Sequence, residues 1–424
     1  MQETSNGQCK KPRSFSIPRR PRVPQGGRIK VIYTTTPLPQ RTSVPLLRRH
    51  HTVPPAFSPM KLLITWALSD ELLERVKRMP HFTDVQYYPT TFVINSQHPK
   101  HFWNHEPAAI PDAVWAQTDI LQTMFICPET RAQAPNLKFI QGMSAGLEHF
   151  IHAPFFKQVL DESGGDGHVT VCSASGIHST KIAEYILMQT LSTYTRLPFL
   201  LEHAKQQSWN RTAYVEPGKL SGAAELRGKT MGIIGYGCIG RETARLAKAF
   251  GMDIIVATSS GKQALGHGFV IEGTGDQDGR IPRAWYSTSD PDALKGFMEE
   301  VDVLVLSCPL TQVTRHIVSA ESMRYLKASA IIINIARGGL IDHDALIKAL
   351  EEGRIGAACL DVTDPEPLPD KHPLWTARNC FITPHIAGAT EYYAQRCVEL
   401  LEINMQRWKA GQKVLNPVSL SKGY

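Results

Sequence analysis

The sequence points to an α/β architecture of two doubly wound parallel-sheet domains, one inserted into the other. Three observations carry this. From Met60 onwards short apolar runs alternate with helical patterns, as in a parallel sheet flanked by helices. Midway, "TMGII" leads through a glycine-rich turn into "RETARLAKAF", a strand–turn–helix unit followed by further strand-like runs. With 424 residues, the chain is long enough for two sizeable cores.

Taken in order, residues 1–59 stand apart. They contain eleven Lys/Arg, one acid (Glu3) and ten prolines, which exclude a long amphipathic helix and a core. A disordered basic tail is the first reading. The Arg-rich, nearly acid-free composition is also that of a mitochondrial transit peptide, against which the prolines count; a third reading starts translation at Met60. The rest of the chain carries 35 basic and 38 acidic residues, so the overall +7 belongs to the tail, and a nucleic-acid partner for the body is not expected. At 42% hydrophobic and 20% charged, with no apolar run near the roughly 20 residues of a membrane helix, the body reads as a soluble globular protein. Cys9, Cys127, Cys172, Cys238, Cys308, Cys359, Cys380 and Cys397 form no C-x-x-C pair, which argues against a zinc site or disulfide framework and for a reducing, cytoplasmic setting.

"MKLLITWA" reads as a buried strand and "SDELLERVKRM" as a helix capped by Ser69 or Asp70. "NLKFIQGMSAG" (136–146) reads as a strand ending in a small-residue turn, 179–197 as a long helix, and 203–228 as irregular. A second unit follows: strand 230–235, glycine turn, helix 240–250, strand 252–258. The Gly/Asp-rich stretch 266–290 reads as a surface insertion. Strands are expected at 301–307, 330–336, 356–362 and 380–386, before a closing helix in "TEYYAQRCVELLEINMQRWKAG". A crevice between two such domains is where a cofactor and a substrate would meet.

The turn Gly235-Tyr236-Gly237-Cys238-Ile239-Gly240 spells G-x-G-x-x-G. Gly235 permits the tight turn, Gly237 lets backbone approach a pyrophosphate, and Gly240 lets helix pack on strand. The pyrophosphate would sit at the positive end of the helix. Such sites usually carry an Asp or Glu about 20 residues on, at the ribose. Here the second strand ends in Thr258-Ser259-Ser260-Gly261-Lys262, without a carboxylate, and Asp253 stands at its wrong end. Hydroxyls from Thr258, Ser259 and Ser260 and the charge of Lys262 suit a 2′-phosphate. The expectation is NADPH in preference to NADH; the alternative is an NAD site that merely lacks the acid.

Three more strand ends carry polar residues: Arg337 in "IIINIARGGLID", Asp361, Asp364 and Glu366 in "GAACLDVTDPEPL", and His385 in "CFITPHIAGAT". Singly, each fits a salt-bridged surface residue, a solvated loop acid or a satisfied histidine. Together they form the set that hydride transfer to a 2-keto acid needs. A guanidinium grips the carboxylate and polarises the carbonyl, an imidazolium donates a proton, and a carboxylate stabilises the imidazolium.

On "GIIGYGCIG", "CPLTQVTRHIV", "NIARGGLIDHDAL", "LDVTDPEPL", "HPLW" and "TPHIAGAT", in this order, residues 60–424 resemble the D-isomer-specific 2-hydroxyacid dehydrogenases, which include glyoxylate/hydroxypyruvate reductases. The resemblance implies a Rossmann NAD(P)-binding domain (176–386) inserted into a flavodoxin-like substrate domain (60–175 and 387–424), and a homodimer built on a helix and arm at 179–228. It implies Arg337 as the substrate-binding and catalytic arginine, Glu366 as the acid orienting the histidine, and His385 as the proton donor. Ala145 and Gly146 would grip the substrate carboxylate through backbone amides. Asp361 would hold the nicotinamide carboxamide, with Cys308 and Pro309 along the adenosine and Ala336 also against the cofactor. Trp209 would reach towards the partner's site or anchor the interface. The substrate expected is a small 2-keto acid such as glyoxylate or hydroxypyruvate, with no metal. A competing reading on the same fold is a nucleotide-sensing corepressor, against which the mildly acidic body and the NADPH-like turn count.

Overall fold

The computed structural model describes residues 60–92, 105–106, 109–147, 153–163, 169–209 and 223–419. The basic first 59 residues, and 210–222 of the expected dimerisation arm, lie outside them. The chain opens with β1 (Met60–Ile64), α1 (Asp70–Lys77) and β2 (Phe82–Tyr87). Ser69 caps α1, its side chain accepting from the Leu72 amide. A two-residue antiparallel pair follows, β3 (Thr91–Phe92) with β4 (His105–Glu106), then α2 (Asp112–Gln117), β5 (Ile120–Thr123), β6 (Phe139–Gly142), α3 (Pro154–Ser163) and β7 (Thr170–Cys172). Five of these strands form a parallel sheet in the order β2-β1-β5-β6-β7, the 2-1-3-4-5 order of flavodoxin-like sheets.

The chain then runs through α4 (Ser179–Tyr194) and α5 (Leu197–Lys205) into a second sheet. Its elements are β8 (Thr230–Ile234), α6 (Cys238–Ala249), β9 (Asp253–Thr258), β10 (Ala284–Ser287), α7 (Pro291–Glu300), β11 (Val303–Leu306), β12 (Ile331–Asn334), α8 (His343–Glu351), β13 (Ala357–Leu360) and β14 (Cys380–Ile382). All seven strands are parallel, in the order β10-β9-β8-β11-β12-β13-β14. Counted from β8 this is 3-2-1-4-5-6 with one strand added, the dinucleotide-binding order. The central strands β8, β11, β12 and β13 are buried, mostly apolar runs because both faces are covered. Leu304, Ile332 and Ala358 face one core, while Val303, Val305 and Ile333 face the other, which α4 and α6 complete through Ile186 and Ala244. The last helix, α9 (Tyr393–Lys409), returns to the first sheet and buries Val398, Leu401 and Met405 against Leu62 and Phe139. Each fully buried aliphatic or aromatic side chain contributes about 1.5–3 kcal/mol.

Two sequence expectations need correction. The stretch 266–290 is not simply a surface insertion: 284–287 forms edge strand β10, and Phe269 and Asp276 are buried. The expected helix 179–197 divides at Arg196, whose φ of 52° interrupts the helical path, and α5 extends into the stretch read as irregular.

Candidate active site

The glycine turn shows what each glycine is for. Gly235 follows β8 with φ +90°, and a Cβ there would stand 2.7 Å from the Cys308 amide nitrogen. Only glycine permits that approach between β8 and the segment after β11, which Ser307 tightens by donating to the Gly235 carbonyl at 2.7 Å. A Cβ on Gly240 would lie 2.6 Å from the Gly235 carbonyl, so this glycine lets α6 close onto the turn. Gly237 differs: a Cβ there would meet nothing within 4 Å, and no side chain caps this end of α6. Open space in front of uncapped amides at a helix N-terminus fits a pyrophosphate, so the residues present suit a dinucleotide. Tyr236 is buried beneath the turn, while Cys238 and Ile239 are half-buried in the first turn of α6.

The carboxyl end of β9 lies beside this turn, since β8 and β9 pair in parallel register. Thr258 Oγ1 accepts from the Gly261 amide at 3.1 Å. Ser259, Ser260 and Lys262 are exposed, and Lys262 has no ion-pair partner among the described residues. Asp253 begins β9 at the opposite end, where it pairs with Lys248 at 3.5 Å.

At the other half of the sheet, three strand ends converge. After β12, the fully buried Asn334 accepts from the Ala336 amide at 3.1 Å and donates to the Arg337 carbonyl at 2.9 Å. Arg337 is thereby set in a tight turn, its guanidinium donating to the Ala336 carbonyl at 2.7 Å. Gly338 brings that turn against the segment after β13: a Cβ there would stand 2.0 Å from Thr363. The same segment carries Glu366, whose Oε1 lies 2.6 Å from His385 Nδ1. The bond fixes the ring and turns Nε2 away from the carboxylate. Both side chains are about one-third exposed, open to a substrate from outside.

The loop after β14 is held by Asp361, only 2% exposed. Its carboxylate accepts from Thr383 Oγ1 at 2.5 Å and from the Ile386 and Ala387 amides at 2.9 and 2.8 Å. Thr383 also meets the Tyr185 hydroxyl at 2.5 Å, which accepts from Gln189 at 2.8 Å. Burial pushes the Tyr185 phenol up to about 12, so it stays a neutral donor. This relay pins His385 in a left-handed conformation, φ 54°.

Ala145 and Gly146 sit at the carboxyl end of β6, on the other sheet, where Ser144 Oγ donates to the Gly146 carbonyl at 2.6 Å. Tyr393 links this loop to the histidine loop: it begins α9 just beyond that loop and donates its hydroxyl to the Met143 carbonyl at 2.7 Å. His178 packs edge-on to Tyr393 at 4.8 Å. Burial, with Arg396 and His385 adding to it, pushes the His178 imidazole down to about 4. Cys308 lies against the glycine turn, whereas Trp209 is 96% exposed. Among the described residues no cluster of His, Cys, Asp or Glu could hold a metal, and no helix is long and apolar enough to cross a membrane.

Sequence reasoning missed Tyr185, Gln189, Thr383, Asn334 and His178. Only Thr383 and Asn334 gave a signal, as polar residues ending apolar strands; Tyr185 and Gln189 lie inside an apolar helix.

Residues 187–387 match the family model described as D-isomer specific 2-hydroxyacid dehydrogenase, NAD binding domain. The chain is 34% identical over 285 residues to a glyoxylate reductase of Thermofilum pendens, covering 67% of this chain and 76% of that one. It is 34% identical over 273 residues to the glyoxylate reductase/hydroxypyruvate reductase of Homo sapiens, covering 64% and 74%. Among solved structures, an NADPH-dependent glyoxylate/hydroxypyruvate reductase from Sinorhizobium meliloti superposes with a TM-score of 0.61 at 23% identity, covering 86% of this chain and all of that one. That likeness concerns the fold.

Proposed function

The chain belongs to the D-isomer-specific 2-hydroxyacid dehydrogenase family, and from that premise we propose that it reduces a small 2-keto acid of the glyoxylate or hydroxypyruvate kind to the D-2-hydroxy acid, preferring NADPH to NADH. It is an oxidoreductase acting on CH–OH groups with NAD(P). The observation that carries the site reading is the 2.6 Å contact between Glu366 and His385 Nδ1, beside the Arg337 turn.

In this reading the nicotinamide, when bound, would supply a hydride for C2 of the keto acid. Arg337 pairs its guanidinium with the substrate carboxylate and the carbonyl oxygen, orienting C2 and drawing charge towards the oxygen. His385 donates the Nε2 proton to that oxygen as it becomes an alkoxide, and Glu366 holds the Nδ1–H of the imidazolium. Backbone amides of Ala145 and Gly146 take the far side of the carboxylate. Asp361 shapes the loop that presents His385 and would hold the carboxamide of the nicotinamide. The glycine turn, with Cys308 against it and Pro309 next in the chain, would take the pyrophosphate and adenosine side, and Ala336 would also lie against the cofactor.

The cofactor preference rests on the strand end. A carboxylate at the end of β9 would hydrogen-bond a ribose 2′-OH and repel a 2′-phosphate. Exposed Ser259, Ser260 and Lys262 instead offer two donors and a charge. Comparing kcat/KM for NADPH and NADH across glyoxylate, hydroxypyruvate and larger 2-keto acids tests both halves. A preference for NADPH of at least about tenfold is expected; a preference for NADH overturns the cofactor reading.

A homodimer is part of the proposal. Met188, Leu191, Leu197, Leu200 and Leu201 expose apolar side chains along α4 and α5, a patch that a second copy would cover. Sedimentation of the purified chain checks it, and a monomer at assay concentration refutes it. The seven described cysteines are free thiols, which supports a cytoplasmic setting; import into mitochondria directed by the Arg-rich first 59 residues is the result that would displace it.

A further inference from the structure

Residues 264–281 leave the end of β9 and return towards β10, and their contacts fall on two other parts of the molecule. The first is the glycine-turn helix. Arg241 donates to the Ala264 carbonyl at 2.8 Å and also to the Asp276 carbonyl, and its guanidinium lies 4.8 Å over the Tyr236 ring. The Asp276 carboxylate accepts from the Tyr236 hydroxyl at 2.8 Å and from the Arg280 and Ile281 amides at 3.0 Å. Glu242, paired with Arg245 at 2.6 Å, accepts from the Gly275 amide at 2.7 Å. Arg241 and Glu242 are consequently 4% and 2% exposed, two charged residues of α6 buried under this segment.

The second is the crossover by which the chain leaves the five-stranded sheet for α4. The Phe269 amide donates to Asn416 Oδ1 at 3.0 Å, and Asn416 Nδ2 donates to the Ser173 and Ser175 carbonyls at 3.3 and 2.7 Å. Gly176, at φ +96°, completes the seat: a Cβ there would stand 2.1 Å from the Phe269 carbonyl. Between the two ends, Cys238 Sγ of the first turn of α6 touches the same carbonyl at 3.5 Å.

We propose that residues 264–281 are a strap that ties the glycine turn to the crossover between the two sheets, with Asp276 and Asn416 as positioning residues for the dinucleotide. The strap holds the amides at the start of α6 in binding geometry before the nucleotide arrives, which lowers the ordering cost of binding and slows release. It rests on the reading of the glycine turn as the pyrophosphate site. Neither residue is asked to touch the nucleotide; Asn416 lies on the far side of the strap, in the last segment of the chain.

The test uses the full chain and two variants at opposite ends of the strap, Asn416→Ala and Asp276→Asn. NADPH release is followed by stopped-flow fluorescence. Amide hydrogen exchange at 237–240 is measured without nucleotide, and thermal melting reports whether each variant is folded. Removing one buried partner should speed NADPH release about tenfold in each variant and raise exchange at 237–240. In Asn416→Ala, kcat at saturating NADPH and KM for the keto acid should stay within about twofold of wild type, a split that a general loss of structure would not give. Unchanged release and exchange in a folded variant overturns the strap, and so does a loss that falls on kcat alone. A wild-type chain that binds neither NADPH nor NADH overturns the pyrophosphate reading instead, while faster exchange in the unliganded variants would still support the strap.

Discussion

The carboxyl edges of the two sheets are built on opposite principles. The five-stranded sheet offers a short turn at Ser144–Gly146 whose groups are main-chain amides, shaped by a hydroxyl-to-carbonyl bond of 2.6 Å. The seven-stranded sheet offers a cation, a carboxylate and an imidazole on three strand ends, each fastened by buried polar groups such as Asn334 and Asp361. Amides can recognise a carboxylate but cannot act as a general acid, whereas an imidazole such as that of His385 can. The first edge is therefore suited to binding and the second to chemistry, and damage to each should show in a different kinetic constant.

The largest expected effect lies on the second edge. On the proposed role, Arg337→Ala removes both carboxylate pairing and carbonyl polarisation, and kcat/KM for the keto acid should fall about a thousandfold or more, with NADPH affinity within about twofold. Retained kcat/KM would break the contrast at its root. Next is the first edge. Ser144→Ala loosens the turn around Gly146 and should raise KM for the keto acid several-fold while kcat holds. A fall in kcat with unchanged KM would show that the two edges do not divide the work in this way.

A smaller effect tests how the chemical edge is held. Tyr185→Phe removes a buried hydroxyl from the relay to Thr383 and Asp361, which should cost about 1–3 kcal/mol of stability and lower kcat a few-fold, measured by denaturant unfolding and steady-state kinetics. The smallest effect on turnover is expected beside the histidine loop, where the change is in the pH dependence of stability. His178 has its imidazole lowered to about 4 from an ordinary 6.5, so the unfolded chain binds its proton first as pH falls. Its contribution to stability is intact above pH 6.5 and is lost as pH falls from 6.5 towards 4. In His178→Asn the acid side of the stability profile should be shallower over that window; an identical slope would remove His178 from the account.

The same contrast explains what could be read in advance. Gly235, Gly237, Gly240, Arg337, Glu366 and His385 stand out as candidates because most of the parallel strands are continuous apolar runs, so a polar residue or glycine at their carboxyl end is conspicuous. Strand β2, "FTDVQY", has polar residues through it, and β10 lies in a Gly/Asp-rich stretch whose acids suggest solvent. Asp276 has the composition of a surface loop, yet Tyr236 and two amides enclose it. Tyr185 and Gln189 sit on an apolar helix, where nothing local marks the face that reaches Thr383. Those residues acquire their meaning from partners far away in the chain, which no local pattern records.

His385, held by Glu366, is proposed as the proton donor in hydride transfer to a 2-keto acid. The direct measurement is single-turnover reduction of glyoxylate or hydroxypyruvate by His385→Ala with NADPH already bound. NADPH should bind as in wild type while the rate constant for its oxidation falls by about a thousandfold. A variant that binds NADPH normally and still oxidises it at the wild-type rate would show that His385 is not the proton donor.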